Sequence, residues 1–586
     1  MKPWKIPFLL ILIGSATLSQ TIELKIVETS DVHGAIFPYN FTTTKPADGS
    51  LARVQTYLNE ERSKDQEVIL LDNGDILQGT PAVYYYNFER PDEIHLYARV
   101  MNYMNYDAGT VGNHDVETGH KVYDKFNSEI NFPWLAANAI DTLNNKEYFT
   151  PYTMIEKKGI RIAVLGMITP GIPNWLPYKI WEGIEFEDKI EIAKKWVPKI
   201  LADENPDILV GLFHAGVDYT YGNVNEMTPR NENACKLIAQ QVPGFDVIFV
   251  GHDHQVWNFE ETSSDGSKVL ILGPTSGARN VAVANFTLQR DSNSGNWHKI
   301  IRGEIVDMKD YQPDEKLLEH FGEEFNEIKK YVSRGIGRLN GILDSRKTLF
   351  EDAAFSDLIH NIQLDLTKAD VSFTAPLSLS TIMNSGELYV KDMFDLYRYE
   401  NLLYTMELSG EEIDKFLEHS YALWFNEMTS EEDNLLMFEK DDNGSLKWSE
   451  RYNTPLLKNR YYNFDTAEGI NYTVDASKPA GDKVTITVFT NGSDFDFNSI
   501  YKVAVNSYRG NGGGGHLTMG CGIKQEDLPK RVISSTEKDL RYYLMKWIEK
   551  TKEVTPTTNN NWKVIPEAWY NTAKEKDYKL LYGKEN

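Results

Sequence analysis

Five apolar runs in the first half of the chain each end in polar residues, and this recurrence limits the fold more than any other feature. The clearest is VILLDNGDILQ at 68–78, in which Asp75 follows a strand-like apolar stretch. A short run of this kind is typical of a strand buried in a layered α/β fold. Side chains that follow neighbouring strands of such a sheet converge in one crevice. The other four runs are Leu24–Gly34, Ala108–Asp115, Ile208–Gly216 and Asp246–His254.

The polar residues at these ends are oxygen and nitrogen donors, and no thiolate is among them. Asp31 and His33 are two residues apart, so at a strand end they face the same side. Such a donor set suits zinc, manganese or iron rather than calcium. We therefore expect two divalent cations that share Asp75 as a bridging ligand. The first site takes Asp31, His33, Asp75 and His254, and the second takes Asp75, Asn113, His214 and His252.

A pair of cations about 3.5–4 Å apart lowers the pKa of a water between them and polarises a phosphoryl oxygen, so the pattern predicts phosphoester hydrolysis by a bridging hydroxide. The leaving oxygen needs a proton, and His114, next to Asn113, is the candidate donor. Either Asp115 or Glu117 would orient its ring. Each of these histidines alone is more often a core or surface residue, and only the five motifs together predict a metal site.

The length and the charge set limits on the partners of the chain. A chain of 586 residues predicts two or three domains. The net charge of −25 repels polyanions, which argues against a nucleic-acid polymer as a partner. It does not oppose a small phosphate ester, because bound cations set the local potential.

The first twenty residues resemble a secretory signal. Lys2 and Lys5 precede a short apolar core at 6–13, and small and polar residues follow before a break near Ser19 or Gln20. We expect cleavage of residues 1–20 and a periplasmic or secreted protein with no membrane span in the mature chain; an uncleaved anchor is the alternative. Cys235 and Cys521 lie far apart in sequence, and we predict two free thiols.

Three segments follow the signal. Residues 21–309 alternate strand-like and helix-like stretches, which predicts an α/β sandwich of mixed sheets with outer helices. Within 310–340, residues 314–338 have helical periodicity and form either a long linker helix or an outer helix of the first domain. Residues 341–586 form a second, α+β domain. In it, 429–460 has no clear element and the last thirty or so residues are expected to pack loosely.

The motifs resemble a known group of enzymes. DVHG, the Gly74–Asp75 pair, GNHD, the single His214 and GHDH are similar to the signature blocks of the calcineurin-like metallophosphoesterase superfamily. LLDNGDILQGTP, FTAPLS at 373–378 and NSYRGNGGGG at 506–515 resemble the 2′,3′-cyclic-nucleotide 2′-phosphodiesterase/3′-nucleotidases of the bacterial 5′-nucleotidase group. The resemblance covers nearly the whole mature chain. It implies a four-layer α/β/β/α catalytic sandwich, a nucleotide-binding second domain, and a cleft that closes by domain rotation.

The resemblance also points to the residues that bind the rest of a nucleotide or cyclic nucleotide substrate. Tyr399 and Tyr508 match the positions that stack on the base, although packed structural tyrosines are the general alternative. Glycines at 512–515, with Gly513 and Gly514 central, would let a base or ribose approach the backbone. Asn506 and Arg509 are candidates for hydrogen bonds to ribose or base.

Two departures separate this chain from 5′-nucleotidases. Ala375-Pro376-Leu377 stands where those enzymes have an Asn-Gly-Gly turn, and the glycine run leads to His516 without their Gly-Gly-Asp-Gly-Phe sequence. A 5′-nucleotidase or UDP-sugar hydrolase with the same cations remains the near alternative. A non-catalytic nucleotide-binding protein is the alternative from another class, and the complete ligand set argues against it.

Overall fold

A computed structural model describes residues 21–64, 67–221, 224–291, 296–449 and 453–583. The predicted signal peptide, 1–20, lies outside these residues. Within them, no helix is both long enough and apolar enough to cross a bilayer. Cys235 and Cys521 are both free, as the sequence predicted.

The first domain is built on two six-stranded mixed sheets that pack face to face. The central strands of each are parallel: Ile26 pairs with Ile69 in the first sheet, and Leu212 pairs with Phe249 in the second. The order in the first sheet is Trp297–Asp307, Asn280–Arg290, Thr21–Thr29, Glu67–Asp72, Ala108–Thr110 and Trp134–Leu135. In the second it is Trp257–Thr262, Lys268–Gly273, Val247–Val250, Ile208–His214, Ile160–Ile168 and Tyr152–Lys157.

Apolar side chains fill three layers of this domain. The core between the sheets contains Ile69, Leu71, Val164 and Leu212. One further core lies between each sheet and its outer helices. The central strands are apolar on both faces because both of their faces are covered. The helices are Leu51–Ser63, Pro81–Tyr84, Leu96–Met104, Asn113–Val116, His120–Glu129, Lys189–Glu204 and Cys235–Gln241. The predicted four-layer α/β/β/α fold is confirmed.

The segment predicted as one long helix forms two short ones. They are Glu315–His320 and Gly322–Val332, and they meet at Phe321. Leu317, Phe321 and Ile328 are buried in the outer core of the first domain. The apolar residues of this segment therefore do have helical spacing. The interruption of the helix at Phe321 could not be seen in the sequence.

The second domain has a five-stranded sheet and two three-stranded sheets. The five-stranded order is Thr466–Glu468, Val371–Thr374, Ile500–Asn506, Leu402–Ser409 and Val532–Asp539. The small sheets are Val484–Phe489, Ile470–Asp475 and Trp562–Ile565, and Gly386–Tyr389, Gly335–Leu339 and Glu553–Val554. The helices are Ala354–Thr367, Asp392–Leu396, Gly410–Trp424, Ser507–Gly510, Leu528–Arg531, Leu540–Thr551 and Glu567–Tyr582.

The end of the chain does not pack loosely. Trp562 and Val564 lie in the core of the second domain, and the last helix buries Ala573 there. Asp577, also on that helix, accepts hydrogen bonds from Asn434 and from the backbone N–H of Leu436, the latter at 2.9 Å. The expectation from polar composition was wrong because a few apolar positions anchor the segment.

Candidate metal centre and interdomain cleft

The seven predicted ligands come together at one edge of the two sheets. The donor atoms of Asp31, His33, Asp75 and His254 lie within 4.8 Å of one another, as do those of Asp75, His214 and His252. Asn113 joins the second group, since its Oδ1 lies 3.1 Å from His214 Nε2. Asp75 belongs to both groups, as a bridging carboxylate would.

The backbone of the ligand loops is strained where the ligands sit. Non-glycine residues rarely adopt positive φ, and such strain persists only where the surroundings impose it. The peptide N–H groups of Asp31 and His33 donate to the carbonyls of Gly74 and Asp75, each at 2.9 Å, which ties two of these loops together. The ligands with φ between 49° and 72° are Asp31, His33, Asp75, His252 and His254.

Close packing against Asp75 explains a glycine of the GNHD motif. A Cβ on Gly112 would lie 2.2 Å from Asp75 Oδ1 and 2.4 Å from its backbone nitrogen. The other side of the same carboxylate is fixed by the backbone N–H of His114, which donates to Oδ1 at 2.8 Å. Close packing and this hydrogen bond therefore fix the position of the Asp75 carboxylate.

The histidine rings are oriented by backbone carbonyls. His33 Nδ1 lies 2.9 Å from the carbonyl of Gln78, and His214 Nδ1 lies 2.6 Å from that of Asn73. An N–H donated to such a carbonyl leaves Nε2 as the free nitrogen that faces the cluster. This arrangement of carboxylates, an amide oxygen and free imidazole nitrogens fits divalent cations.

The electrostatics favour the ligand forms of Asp75 and His33. Burial acts to lower the pKa of His214, but Asp75 raises it to about 9, so that a proton competes with a cation for this ring. Burial acts to raise the pKa of Asp75, but His214 and His114 outweigh it and hold that pKa well below its usual range. Burial and the neighbouring His254 lower the pKa of His33 to about 4. An ionised carboxylate and a neutral imidazole are the states that bind metal.

His114 lies beside the cluster, with its ring centroid 5.5 Å from that of His33. Its Nδ1 lies 2.5 Å from Glu117 Oε2. Burial acts to lower the pKa of His114, but the carboxylates of Asp75 and Glu117 raise it to about 10. These two carboxylates favour the protonated form of the ring, and Glu117 is the residue that orients it.

Asp115, the other candidate for orienting His114, has a different place. Its carboxylate accepts hydrogen bonds from the backbone N–H groups of Asp75, Ile76, Leu77 and Gly112, at 2.8–3.0 Å. It is fully buried and holds the loop that carries Asp75 against the GNHD turn. The side chain next to the His114 ring is that of Glu117, three residues further along the chain. It is not that of Asp115, the residue directly after His114.

The two predicted base-stacking tyrosines lie in the second domain beside a third that the sequence did not single out. Tyr462 contacts both, with ring centroids 6.3 Å from Tyr399 and 6.4 Å from Tyr508. Glu117 acts electrostatically on Tyr399 and Glu232 acts on Tyr508, so each tyrosine has a charged residue of the first domain in its surroundings. Only the doubled aromatic in YYNFD at 461–465 could have drawn attention to Tyr462.

Arg509 and Asn506, the candidates for hydrogen bonds to ribose or base, both make hydrogen bonds within the second domain. Arg509 is fully buried, and its guanidinium donates to Asp465 Oδ2 at 2.5 Å and to the carbonyl of Tyr462 at 3.0 Å. Asn506 caps the short helix after it by accepting the N–H of Arg509 at 2.8 Å. The terminal nitrogens of Arg509 and the side-chain oxygen of Asn506 therefore have partners within the domain, and a contact of either residue with ribose or base stays a prediction.

The glycine run packs against these same residues. A Cβ on Gly513 would lie 2.6 Å from two ring carbons of Tyr508, and one on Gly514 would lie 2.0 Å from Arg509 Nη1. The groups that closely approach the backbone of these glycines are therefore side chains of the protein itself, those of Tyr508 and Arg509. The Tyr508 ring needs this space whether or not a base also enters it.

Two family models match the chain, one in each domain. Calcineurin-like phosphoesterase matches residues 24–256, and 5′-nucleotidase, C-terminal domain, matches residues 335–520. The chain is therefore a two-domain calcineurin-like phosphoesterase with a 5′-nucleotidase C-terminal domain. The predicted class, a phosphoric ester hydrolase of the nucleotidase and phosphodiesterase families, is confirmed.

Curated relatives match at low identity over most of the chain. The trifunctional nucleotide phosphoesterase protein YfkN of Bacillus subtilis is 25% identical over 94% of this chain, which spans 40% of that protein. The 2′,3′-cyclic-nucleotide 2′-phosphodiesterase/3′-nucleotidase of Salmonella typhimurium is 25% identical over 95% of this chain and 91% of that protein. Proteins named 5′-nucleotidase match as well.

A solved structure shares the whole architecture. The putative 5′-nucleotidase from Staphylococcus aureus superposes with a TM-score of 0.74 at 20% identity, over 92% of this chain and 99% of that one. At this identity the likeness shows the fold and its two-domain arrangement.

Proposed function

We propose that the protein hydrolyses nucleotide phosphoesters with two divalent cations, and that its preferred substrates are 2′,3′-cyclic nucleotides and 3′-nucleotides. The observation that carries the proposal is the pair of ligand groups that share Asp75, with the Glu117-held His114 beside them. The base-stacking candidates Tyr399 and Tyr508 are coupled electrostatically to Glu117 and Glu232 of the first domain, which supports a substrate site between the domains. Zinc, manganese and iron all suit the donor set.

Asp31, His33, Asp75 and His254 would hold one cation, and Asp75, Asn113, His214 and His252 the other. Cations bound there would supply an activated water and neutralise charge on the phosphoryl oxygens. The chain's own groups do the rest. His114, whose ring Glu117 orients, gives its proton to the leaving oxygen, while Tyr399 and Tyr508 bind the base by stacking.

The cyclic and 3′ preference rests on the second domain. Ala375-Pro376-Leu377 replaces the Asn-Gly-Gly turn of 5′-nucleotidases, and the glycine run lacks their following aromatic. The name of the Salmonella relative, which matches along 95% of this chain, agrees with this choice. The rival is a 5′-nucleotidase or UDP-sugar hydrolase with the same cations, favoured by the relatives that carry the 5′-nucleotidase name.

The test is phosphate release by the purified protein with added manganese or zinc. We would compare 2′,3′-cyclic AMP (with a phosphatase to release the product phosphate), 3′-AMP, 5′-AMP and a UDP-sugar, each also with Asp75→Asn. Turnover of the first two, lost in the variant, supports the proposal. Preference for 5′-AMP or the UDP-sugar retains the metal chemistry and overturns the branch. Nucleotide binding without any turnover would leave the non-catalytic binding protein.

A further inference from the structure

One ligand of the second site is oriented by a side chain rather than by a backbone carbonyl. His252 Nε2 lies 2.7 Å from Glu232 Oε1. His33 and His214 use the carbonyls of Gln78 and Asn73 for the same purpose. The His252 ring is also covered by Trp175, stacked at a centroid distance of 5.6 Å and an interplanar angle of 22°.

Glu232 is itself held in place by hydrogen bonds of its own backbone and of its two neighbours. Its carbonyl accepts a hydrogen bond from the buried Lys189 Nζ at 2.7 Å. The buried side chains of Asn231 and Asn233 fix the chain on either side: Asn231 bonds the N–H of Asn233 at 2.9 Å, and Asn233 bonds that of Gly216 at 3.1 Å. The carboxylate therefore stands on a rigid segment, as an orienting group requires.

We propose that Glu232 is a positioning residue of the second metal site, in a role that rests on the proposed function. Its carboxylate accepts the Nε2–H of His252 and so selects the tautomer whose Nδ1 is free to bind the cation. A carboxylate partner also makes an imidazole more basic and a stronger ligand than a carbonyl does. No motif marks Glu232 in the sequence, because RNENACK at 230–236 carries no pattern of metal chemistry.

Glu232 also lies where the second domain meets the centre. Its carboxylate is 31% exposed, and its charge acts on the phenol of Tyr508. Burial raises the pKa of Tyr508 to about 12, and Glu232 adds to the shift. Glu232 thus contacts the metal ligand His252 and also acts electrostatically on Tyr508, a base-stacking candidate.

The experiment is a calorimetric titration of metal-stripped protein with Mn²⁺. The wild type should bind two ions, and Glu232→Ala should weaken one of them by about 10–100-fold while leaving the other unchanged. Glu232→Gln keeps an acceptor for the Nε2–H and should recover most of the lost affinity. Glu226→Ala removes an exposed carboxylate from the same loop and should match the wild type.

Cobalt substitution gives a second readout, because the visible absorption of bound Co²⁺ reports its coordination. The spectrum of the weakened site should change in Glu232→Ala and return towards the wild type in Glu232→Gln. Two wild-type affinities in Glu232→Ala would overturn the positioning role, as would equal weakening of both sites with a lowered melting temperature. A wild-type protein that binds no Mn²⁺ would instead overturn the proposed function.

Discussion

His114 and Glu117 form the pair on which proton transfer depends at the scale of single residues. The ring is half-buried next to the cluster, and the 2.5 Å contact with Glu117 fixes which nitrogen points towards the substrate. A protonated imidazole speeds the reaction only where the substrate has a poor leaving group, such as the alkoxide of a ribose, which needs a proton to depart. The importance of His114 should therefore depend on the leaving group.

We expect His114→Ala to lower kcat on 3′-AMP by about 100-fold or more. On bis-p-nitrophenyl phosphate the loss should be much smaller, because p-nitrophenolate departs without a proton. Glu117→Gln, which keeps a hydrogen bond and removes the charge, should lie between. His298→Ala changes an exposed histidine and is the matched control. Equal losses on both substrates would show that His114 does not act as the acid.

At the scale of elements, the glycine run and the tyrosine it touches form one unit. Gly513 does not have a positive φ, so alanine there would not strain the backbone. Its Cβ would instead meet the Tyr508 ring at 2.6 Å and push it aside. One stacked base contributes about 1–3 kcal/mol.

Gly513→Ala should therefore raise KM for nucleotides by roughly 10-fold and change kcat little, since the loss of one stacking contact affects binding. Steady-state kinetics on 3′-AMP measures both constants. Gly322→Ala serves as the control, because no atom lies within 4 Å of a Cβ at that position. An unchanged KM would mean that Tyr508 does not contact the base.

The helix Ala354–Thr367 joins the second-domain sheet through a histidine that burial keeps neutral. His360 bonds Ser372 Oγ and Thr466 Oγ1, each at 3.0 Å, and burial lowers its pKa to about 3. The unfolded chain binds a proton at this residue near pH 6.5 and the folded chain does not. Stability is therefore retained above pH 6.5 and lost as pH falls from there towards 3.

The loss from this group amounts to about 2 kcal/mol between pH 6.5 and 5. His360→Gln, which cannot titrate, should show a shallower fall of the thermal midpoint over this range than the wild type. His298→Gln removes an exposed histidine and should keep the wild-type slope. The measurement is calorimetry of the metal-free protein, and identical slopes in all three proteins would contradict the assignment.

Elements with strong periodicity or a clear terminus could be predicted, and those that depend on distant contacts could not. The strand before Asp75 and the helix Gly410–Trp424 follow from local pattern. The last helix was missed because its stability comes from anchors such as Trp562, which the sequence places in a polar tail. The same reason explains Arg509, whose partner Asp465 is 44 residues away in sequence.

The candidate site divides along the same line. The predicted metal ligands follow the ends of apolar strands. The position of Asp31 and His33 after such a strand, two residues apart, was therefore enough to predict them as ligands. Glu232 lies in a turn and Tyr462 in the single 3₁₀ turn Tyr461–Asn463, and segments this short have no periodicity that could indicate where a side chain points. Domain-scale contacts were equally hidden, because residues of both domains must fold before they meet.

At the scale of the whole molecule, the two domains share a buried joint. Tyr84, from the first domain, lies in a core of the second. Its hydroxyl donates to Asp539 Oδ2 at 3.0 Å, and the Arg541 guanidinium lies 5.1 Å from its ring centroid and 4.2 Å from that of Phe394. The cleft between centre and tyrosines therefore depends on a joint built from aromatic rings and one buried guanidinium.

Loosening this joint should separate binding of the base from chemistry at phosphorus. Tyr84→Ala removes the ring between Arg541 and the first domain, so the second domain holds its tyrosines less firmly over the centre. We expect kcat/KM for 3′-AMP to fall by about 10-fold, since correct placement of a substrate by distant contacts contributes strongly to rate. Turnover of bis-p-nitrophenyl phosphate, which needs only the first domain, should change little.

Tyr178→Ala, at an exposed tyrosine of the first domain, is the control and should leave both substrates unaffected. Small-angle scattering adds a structural readout, because a looser joint increases the radius of gyration of the free protein and nucleotide should reverse part of that increase. An equal loss of both activities in Tyr84→Ala would instead mean that the joint supports the loop of the metal ligand Asp75. That loop lies shortly before Tyr84 in the sequence. The ratio of the two activities therefore distinguishes a hinge between domains from a support for the centre.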